Sequence, residues 1–448
     1  MALTTERTQT TSAKRNEERR VLAGTMVGTT IEWYDFFIYA QAAGLVLAGL
    51  FFAPLAGENE PLAQLIAWAS LGISFLFRPL GAIVAGHLGD RIGRKAMLVF
   101  TLVMMGAATA LIGLLPTFDQ IGVWAPIFLI VLRILQGFSA GGEWGGAALM
   151  SVEHAPINKR GFFGAYPQIG VPVGLILATG VMIAVTTSMS EEAFLSWGWR
   201  IPFLVSVLLI VVGWVIRRAV AESPVFKEMQ TRKKESAAPL KQLFKNHSRQ
   251  VILTALIFIA NNAAGYMLIA FFSSYATKPA EAGGLGMERT PVLIASTVAA
   301  VFWLASTMAG GILSDKIGRV RTFQIGYAFL FIWAIPMFLL IDTGDIVWFA
   351  LSLIILASGL GLSYGPQAAL YAEMFPAQVR YSGVSIGYAL GAILGGAFAP
   401  LIAQLLLDQT GQSVSIGVYL MVLAAISFVA VTLVKETRGV PLGISTHE

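Results

Sequence analysis

The chain contains no cysteine. Disulfide frameworks and thiolate metal sites are therefore excluded. Histidine is scarce: His87, His154, His247 and His447 are the only four, and no two lie at ligand spacing. Charge is scarce as well. Asp, Glu, Lys and Arg make up 12% of 448 residues, against about 25% in soluble domains. What takes their place is apolar, since 56% of the residues are hydrophobic. That balance excludes an ordinary soluble protein and implies an integral membrane protein. Residues 1–21 lack an apolar core ahead of a small-residue cleavage site, so no cleaved signal peptide is expected.

A spanning helix needs roughly 20 mostly apolar residues. Twelve such runs are present, at about 22–51, 62–88, 96–115, 123–152, 162–187, 198–217, 250–277, 290–314, 320–341, 345–373, 381–407 and 414–434. The expected fold class is an all-α membrane protein of twelve helices in two six-helix halves. The expected division is a tail over 1–21, a six-helix bundle over 22–217, a charged loop over 218–249, a second bundle over 250–434 and a tail over 435–448. Lys and Arg gather on the cytoplasmic side of such proteins. With the N-terminus inside, 25 of the 30 lie in cytoplasmic segments, and Arg200, Lys278 and Arg289 lie outside. Both termini are then cytoplasmic. The net charge of +5 reads as a topology signal rather than a nucleic-acid patch.

Two short patterns each occur twice. "GHLGDRIGRK" begins at Gly86 and "GILSDKIGRV" at Gly311, which places Asp90 and Asp315 half the chain apart. The pattern Glu-x-x-Pro-x-x-x-Arg occurs at Glu153–Arg160 and again at Glu373–Arg380, at nearly the same offset. Transporters are commonly built from such repeated halves. The first pattern and its echo resemble the cytoplasmic signature of the major facilitator superfamily. "AESPVF" at Ala221 and "KETRG" at Lys435 resemble tail motifs of its sugar-porter-like branches. "EWYDFFIY", "FRPLGAIVAGHLGDRIGRK" and "RILQGFSAGGEWGGAAL" together resemble the metabolite:proton symporter family, over residues 20–440. That family includes permeases for shikimate, 2-oxoglutarate, citrate, and proline or betaine. The second signature departs at Val320, where a basic residue is usual.

Five ionisable residues fall well inside spans: Glu32, Asp35, Arg78, Arg133 and Glu143. Each costs about 2.5–3.5 kcal/mol at a helix centre on insertion scales, so each needs a partner or water. At 1.5 Å per residue, Asp35 lies roughly 20 Å in, Glu32 roughly 15 Å in, and Arg133 roughly 15 Å from the outer end. All three sit near the midplane. The resemblance implies that spans one, four, seven and ten line a central cavity. Arg133 and both acids are then expected to face it, with Arg133 pairing one acid, Asp35 carrying the coupling proton and Glu32 as the alternative carrier. Arg133 would hold a substrate carboxylate through its planar fork. Arg78 and Glu143 come at similar depth and are expected to pair structurally, with gating or binding as the other reading. Asp90, with Arg91 and Arg94, and Asp315, with Arg319, are expected to join Glu153/Arg160 and Glu373/Arg380 in cytoplasmic salt-bridge networks that gate transport.

The second half has no charge deep in a span. Its midplane polar groups are Asn261, Asn262, Tyr266, Ser363, Tyr364, Gln367 and Tyr388. All of these but Ser363, with Tyr39 and Gln136 of the first half, are candidate substrate contacts; the bland reading of each is an interhelical hydrogen bond. The expected function is proton-coupled symport of a small organic anion, shikimate-like, by alternating access in the bacterial inner membrane. Uptake of a zwitterion such as proline or betaine is the alternative, although the coiled-coil extension of osmosensing members is not found after Val434. An enzyme is not expected. There is no catalytic constellation, no metal set and no cofactor motif, and "GGEWGG" lacks the Lys of a phosphate loop. The expected partners are protons, a small carboxylate and the bilayer, with no nucleic acid and no second subunit.

Overall fold

The computed structural model describes residues 2–57, 60–218, 222–232 and 239–443. Parts of the expected central loop (219–221, with Ala221, and 233–238) and of the C-terminal tail (444–448) lie outside the described residues. In hydrocarbon no water is available to the backbone, so each apolar run must satisfy its N–H and C=O groups internally. A helix does this within one segment. Among the described residues eleven helices are long and apolar enough to cross a bilayer. Spans two to six are Ala69–Ile92, Arg94–Leu114, Trp124–Glu153, Arg160–Ser188 and Gly198–Ile216. Spans seven to twelve are Ser248–Thr277, Arg289–Ile317, Arg319–Ile341, Ile346–Met374, Arg380–Thr410 and Val414–Thr432.

Span one differs from the expected single run. It is Asn16–Ala42 followed by Val46–Phe52 across a 70° bend. The helix itself begins at Ala2, so the polar stretch expected as a tail continues it. The break coincides with π-helical backbone over Ala43–Phe52. A second π segment, Met267–Phe271, interrupts span seven. The two begin half a chain apart, as the repeated motifs do. A third, Ile393–Ala397, interrupts span eleven. Such turns widen the hydrogen-bond ladder and are frequent at functional sites. In the third, Asn262 Nδ2 donates to the Ala392 carbonyl at 3.0 Å, where the regular ladder stops.

The helices form two six-helix halves. Span two packs on span four and span three on span six in the first; span eight packs on span ten and span nine on span twelve in the second. The halves meet along two seams, span five with span eight and span two with span eleven. The first seam is close. A Cβ on Gly161 would run into the Gly311 carbonyl oxygen, and one on Gly311 would lie 2.6 Å from that of Gly161.

Candidate functional site

Asp35 is fully buried, and its carboxylate faces spans three and six. Thr109 Oγ1 donates to Oδ2 at 2.9 Å and Ser206 Oγ to Oδ1 at 2.5 Å. Arg133 is also buried. Its Nη1 donates to Gln136 Oε1 at 2.6 Å and its Nη2 to the Leu71 carbonyl at 3.4 Å. Its guanidinium stands 3.8 Å from the centre of the Tyr39 ring, and the Tyr39 hydroxyl is 2.5 Å from Ser70 Oγ. Gln136 Nε2 in turn donates to Thr109 Oγ1 at 2.6 Å. The expected pairing of Arg133 with Asp35 is thus replaced by a relay, Arg133–Gln136–Thr109–Asp35. The physical reason lies in the helix geometry. At 3.6 residues per turn, positions three apart differ by about 60° around the axis. Glu32 and Asp35 therefore look into different gaps. Asp35 turns into the first half, whereas Glu32 lies within electrostatic reach of Tyr266, Tyr364 and Tyr388 of the second.

Arg78 has a setting of its own. Its guanidinium lies 4.5 Å from the Phe75 ring centre and 5.6 Å from those of Trp33 and Phe36. Arg133 stands 5.6 Å from the same Phe36 ring, so the two cations share one aromatic ring. Cation–ring attraction is strongest where water is displaced. Glu143 accepts from Thr101 Oγ1 at 2.8 Å. Tyr266 meets Trp33, Phe36 and Phe75 edge-on or tilted, with ring centres 5.1–6.2 Å apart, and so carries this cluster across to the second half.

A small cleft opens beside it, between the halves. It is lined by Trp33 and Val171 from the first half and by residues that include Asn261, Asn262, Tyr266, Trp303 and Tyr364 from the second. Asn261 Nδ2 donates to Ser363 Oγ at 2.7 Å and to the Leu360 carbonyl at 3.2 Å. Both Asn side chains thus make interhelical bonds while bordering the cleft. On the other side of the centre, Tyr388 is sandwiched between Trp144 at 3.9 Å and Phe258 at 4.4 Å. Gln168 Oε1 accepts from Trp144 Nε1 at 2.6 Å; its Nε2 donates to Gln367 Oε1 at 3.2 Å and to the Tyr364 carbonyl at 3.1 Å.

At one face the repeated loops form a latch with approximate twofold symmetry. Asp90 accepts from the backbone N–H of Tyr381 (3.3 Å) and Ser382 (3.2 Å), at the start of span eleven. Asp315 accepts from the N–H of Gly161 and Phe162, each at 2.8 Å, at the start of span five. Each carboxylate thus neutralises the positive end of a helix in the opposite half. Glu153 pairs with Arg94 of its own half at 3.4 Å and with Arg380 of the other at 3.1 Å. Glu373 pairs with Arg319 at 3.3 Å and with Arg160 across the seam at 3.4 Å. Arg94 and Arg319 also reach Asp90 at 3.9 Å and Asp315 at 2.7 Å. Arg91 is exposed at the end of span two.

The tail motifs brace this latch. The Glu222 carboxylate accepts from the N–H of Arg94 and Lys95, both at 3.2 Å, and that of Glu436 from the N–H of Arg319 (2.9 Å) and Val320 (3.1 Å). Ser223 Oγ donates to Glu153, and Thr437 Oγ1 to Glu373 at 2.8 Å. Val320 contributes its backbone, so the missing basic side chain leaves this contact intact. Gly93 and Gly318, at φ 112° and 107°, turn the chain into the carboxylates. A Cβ at either would be strained and would run into a carboxylate oxygen of Glu222 or Glu436.

Sequence reasoning missed Thr109, Ser206, Gln168, Trp33 and Trp303. Their spans are legible, but no pattern marks which small polar or aromatic residue meets an acid or the cleft. Trp144 stands inside a quoted motif and had a signal, since a large ring between glycine pairs needs a partner to stack on.

Comparison with known proteins accords with this geometry. Residues 36–400 match the family model described as Major Facilitator Superfamily. The inner membrane metabolite transport protein YhjE of Escherichia coli K12 is 37% identical, over 94% of this chain and 95% of its own. The shikimate transporter of the same organism is 36% identical over 94% and 95%, and its proline/betaine transporter 31% identical over 95% and 85%. The solved structure of the proton:xylose symporter XylE shares the fold, with a TM-score of 0.79 at 17% identity over 96% of this chain and 98% of its own. The chain belongs to the Major Facilitator Superfamily, and it is a secondary transporter rather than an enzyme.

Proposed function

We propose that this transporter couples proton entry to uptake of a small organic anion across the bacterial inner membrane, with the latch face and both termini in the cytoplasm. The observation that carries this reading is the relay from Arg133 to Asp35. A guanidinium held near the midplane by one glutamine side chain and one carbonyl is a ready partner for a carboxylate. An anion that draws Arg133 away frees Gln136. Thr109 then turns its hydroxyl to the Met105 carbonyl, already 3.1 Å away. Asp35 loses a donor in a low-dielectric pocket and takes up a proton. Anion and proton binding thereby favour each other. Glu32, nearer the second half, is the other proton carrier in this reading. Loading of both ligands permits the latch to part, and the cytoplasmic side opens. Shikimate-like carboxylates suit the reading, and one relative is named as a shikimate transporter.

The test is uptake into proteoliposomes with an imposed pH gradient, using labelled carboxylates and betaines. Arg133→Lys should weaken uptake of the best carboxylate because the planar fork is lost. Equal affinity of wild type and variant would remove Arg133 from the anion site. A zwitterion is the second reading, favoured by the aromatic rings of Trp33, Tyr266, Trp303 and Tyr364 around the cleft. Such rings suit a methylated ammonium. Betaine uptake exceeding that of every carboxylate would select it.

A further inference from the structure

The chain continues past the tail motif that braces the second half. Residues 436–438 stay on that half. Glu436 accepts from the N–H of Arg319 and Val320, Thr437 Oγ1 donates to Glu373, and Arg438 Nη1 donates to the Lys316 carbonyl at 2.5 Å. The path then turns. Val440 N–H donates to the Thr437 carbonyl at 3.1 Å, and Gly439 between them has φ 85°. A positive φ at the third of four turn residues marks type II, and glycine adopts it at no steric cost. A Cβ on Gly439 would meet nothing within 4 Å, so the backbone angle alone asks for glycine. Beyond the turn the chain reaches over the first half. The Val440 carbonyl accepts from Arg160 Nη1, at the start of span five. A Cβ on Gly443 would lie 3.7 Å from Glu228 Oε2, on the short helix Pro224–Arg232 that follows span six. Between these two points the Leu442 carbonyl accepts from Arg380 Nη2 of its own half at 3.1 Å, and the Leu442 side chain is buried.

The counterpart motif of the first half takes another course. Glu222 and Ser223 make equivalent contacts, but the chain then enters Pro224–Arg232, and Phe226 lies 5.0 Å from Arg94 of its own half. The tail of the second half crosses the seam instead, and it meets the arginines that carry the latch. Arg160 and Arg380 are the two that pair across to Glu373 and Glu153. Buried guanidinium N–H groups left over from such pairs need acceptors of their own. Arg380 uses every nitrogen: Nε on the Phe375 carbonyl at 3.0 Å, Nη1 on Glu153 and Nη2 on Leu442. The tail carbonyls thus stand where water would otherwise enter, and drier hydrogen-bonded pairs are stronger ones. Resting on the parting of the latch in the reading above, we infer that residues 439–443 are a strap, rooted on the second half, that holds the latch shut and leaves Arg160 and the 224–232 helix each time this face opens. Its root at Glu436 and its hold on Arg380 belong to one half, so the strap travels with that half. The contacts with Arg160 and beside Glu228 are the ones that opening breaks.

The experiment introduces thiols into a chain that has none and needs no knowledge of the cargo. In a Ser382→Cys background, the rate of maleimide labelling reports opening of the latch face. Deletion of residues 440–448 removes the strap and keeps Glu436 and Thr437 in place. Gly439→Val forces a β-branched residue into the left-handed region and misdirects the strap. Labelling should quicken about tenfold in the deletion, the scale of one hydrogen bond to a charged group, and about fivefold in Gly439→Val. Glu153→Gln in the same background is the reference for a broken latch. Faster labelling in Glu153→Gln, with no change in the deletion and in Gly439→Val, overturns the strap and leaves the latch standing. No change in all three overturns both. Thermal unfolding in detergent identifies a deletion that fails to fold, and Gly439→Val then carries this arm. The second arm asks whether the strap leaves. In Glu228→Cys/Gly443→Cys a short bifunctional thiol reagent should bridge the two introduced thiols. Adding Glu153→Gln, which opens the latch, should slow the bridging by about fivefold or more, in step with the lost contact. Bridging at one rate with and without Glu153→Gln, while that variant speeds Ser382→Cys labelling, would mean that the strap stays on the first half, and the proposal falls.

Discussion

Glu153 and Glu373 occupy equivalent places at the latch. Each pairs with one arginine of its own half and one of the other, and each accepts a hydroxyl from a tail motif. At the midplane the equivalence ends. Asp35 and Arg133 belong to a charged relay in the first half. Asn261, half a chain beyond Asp35, ties span seven to span ten with neutral bonds. The difference separates two tasks. Closing one face requires both halves to grip each other, so both copies of the latch are kept. Under the proposed function, coupling a proton to a cargo needs one ionisable set, and a second would add the insertion cost of charge without a function.

Breaking the charged half should have the largest effect. Asp35→Asn is expected to lower gradient-driven accumulation by about 100-fold, the upper range of an ordinary coupling free energy. Exchange of labelled for unlabelled substrate should survive, since exchange need not release the proton. Accumulation at the wild-type level would place the coupling proton elsewhere, with Glu32→Gln as the next variant to measure.

The latch should come second, and equally from either side. Glu153→Gln leaves Arg380 buried without its acid and Arg94 with Asp90 alone, at 3.9 Å, a loss of about 3–5 kcal/mol for a broken buried pair. Glu373→Gln takes the acid from Arg160 in the same way and leaves Arg319 with Asp315 alone, at 2.7 Å. Both should cut transport by about tenfold or more and hold the latch face open. The absence of native cysteine makes this measurable, because one introduced thiol is the only one present. Ser382→Cys should react with a maleimide faster in either Gln variant than alone. A response in one variant and not the other would break the symmetry claimed here. Asp90→Asn sharpens the same point, since it should impair transport while leaving substrate affinity near wild type.

Thr109→Val removes the middle of the relay and keeps its shape. Substrate affinity and proton dependence should then separate, with about a fivefold change in the pH dependence of apparent affinity. An unchanged pH profile would mean that the relay carries no coupling. The smallest effect belongs to the neutral half. Ser363→Ala should cost about 0.6 kcal/mol of stability, the average interhelical hydrogen bond in a membrane. The accumulation ratio should not move, and its collapse would give span ten a part in coupling.

Much of the fold was legible because hydrocarbon enforces it. Long apolar runs become helices, and the Asp90 and Asp315 loops announce the repeat. The positions of the π segments were not legible, since "AGLVLAGLFF" reads as ordinary helix and the bend depends on what packs beside it. At the site, residue type and depth were visible for Asp35, Arg133 and Glu32. The direction each side chain takes was not. A helical repeat tells which face a residue is on, but not whether Thr109, Ser206 or a tyrosine of the other half stands opposite. The bonds Arg160–Glu373 and Arg380–Glu153 cross the repeat, and a pattern within one half carries no sign of its partner in the other.

The sandwich of Trp144, Tyr388 and Phe258 has an optical consequence. Trp144 belongs to the first half and its two neighbours to the second. An indole stacked at 3.9 Å with planes 9° apart, hydrogen-bonded through its N–H to Gln168, sits in a dry and fixed setting. Parting of the halves would pull it from the stack into a more polar one. Its emission should then shift to the red and change in intensity. Subtracting the signal of Trp144→Phe from that of the wild type would isolate this one ring from the other nine. The molecule thus carries its own lamp at the seam, able to time the opening of the halves without any attached dye.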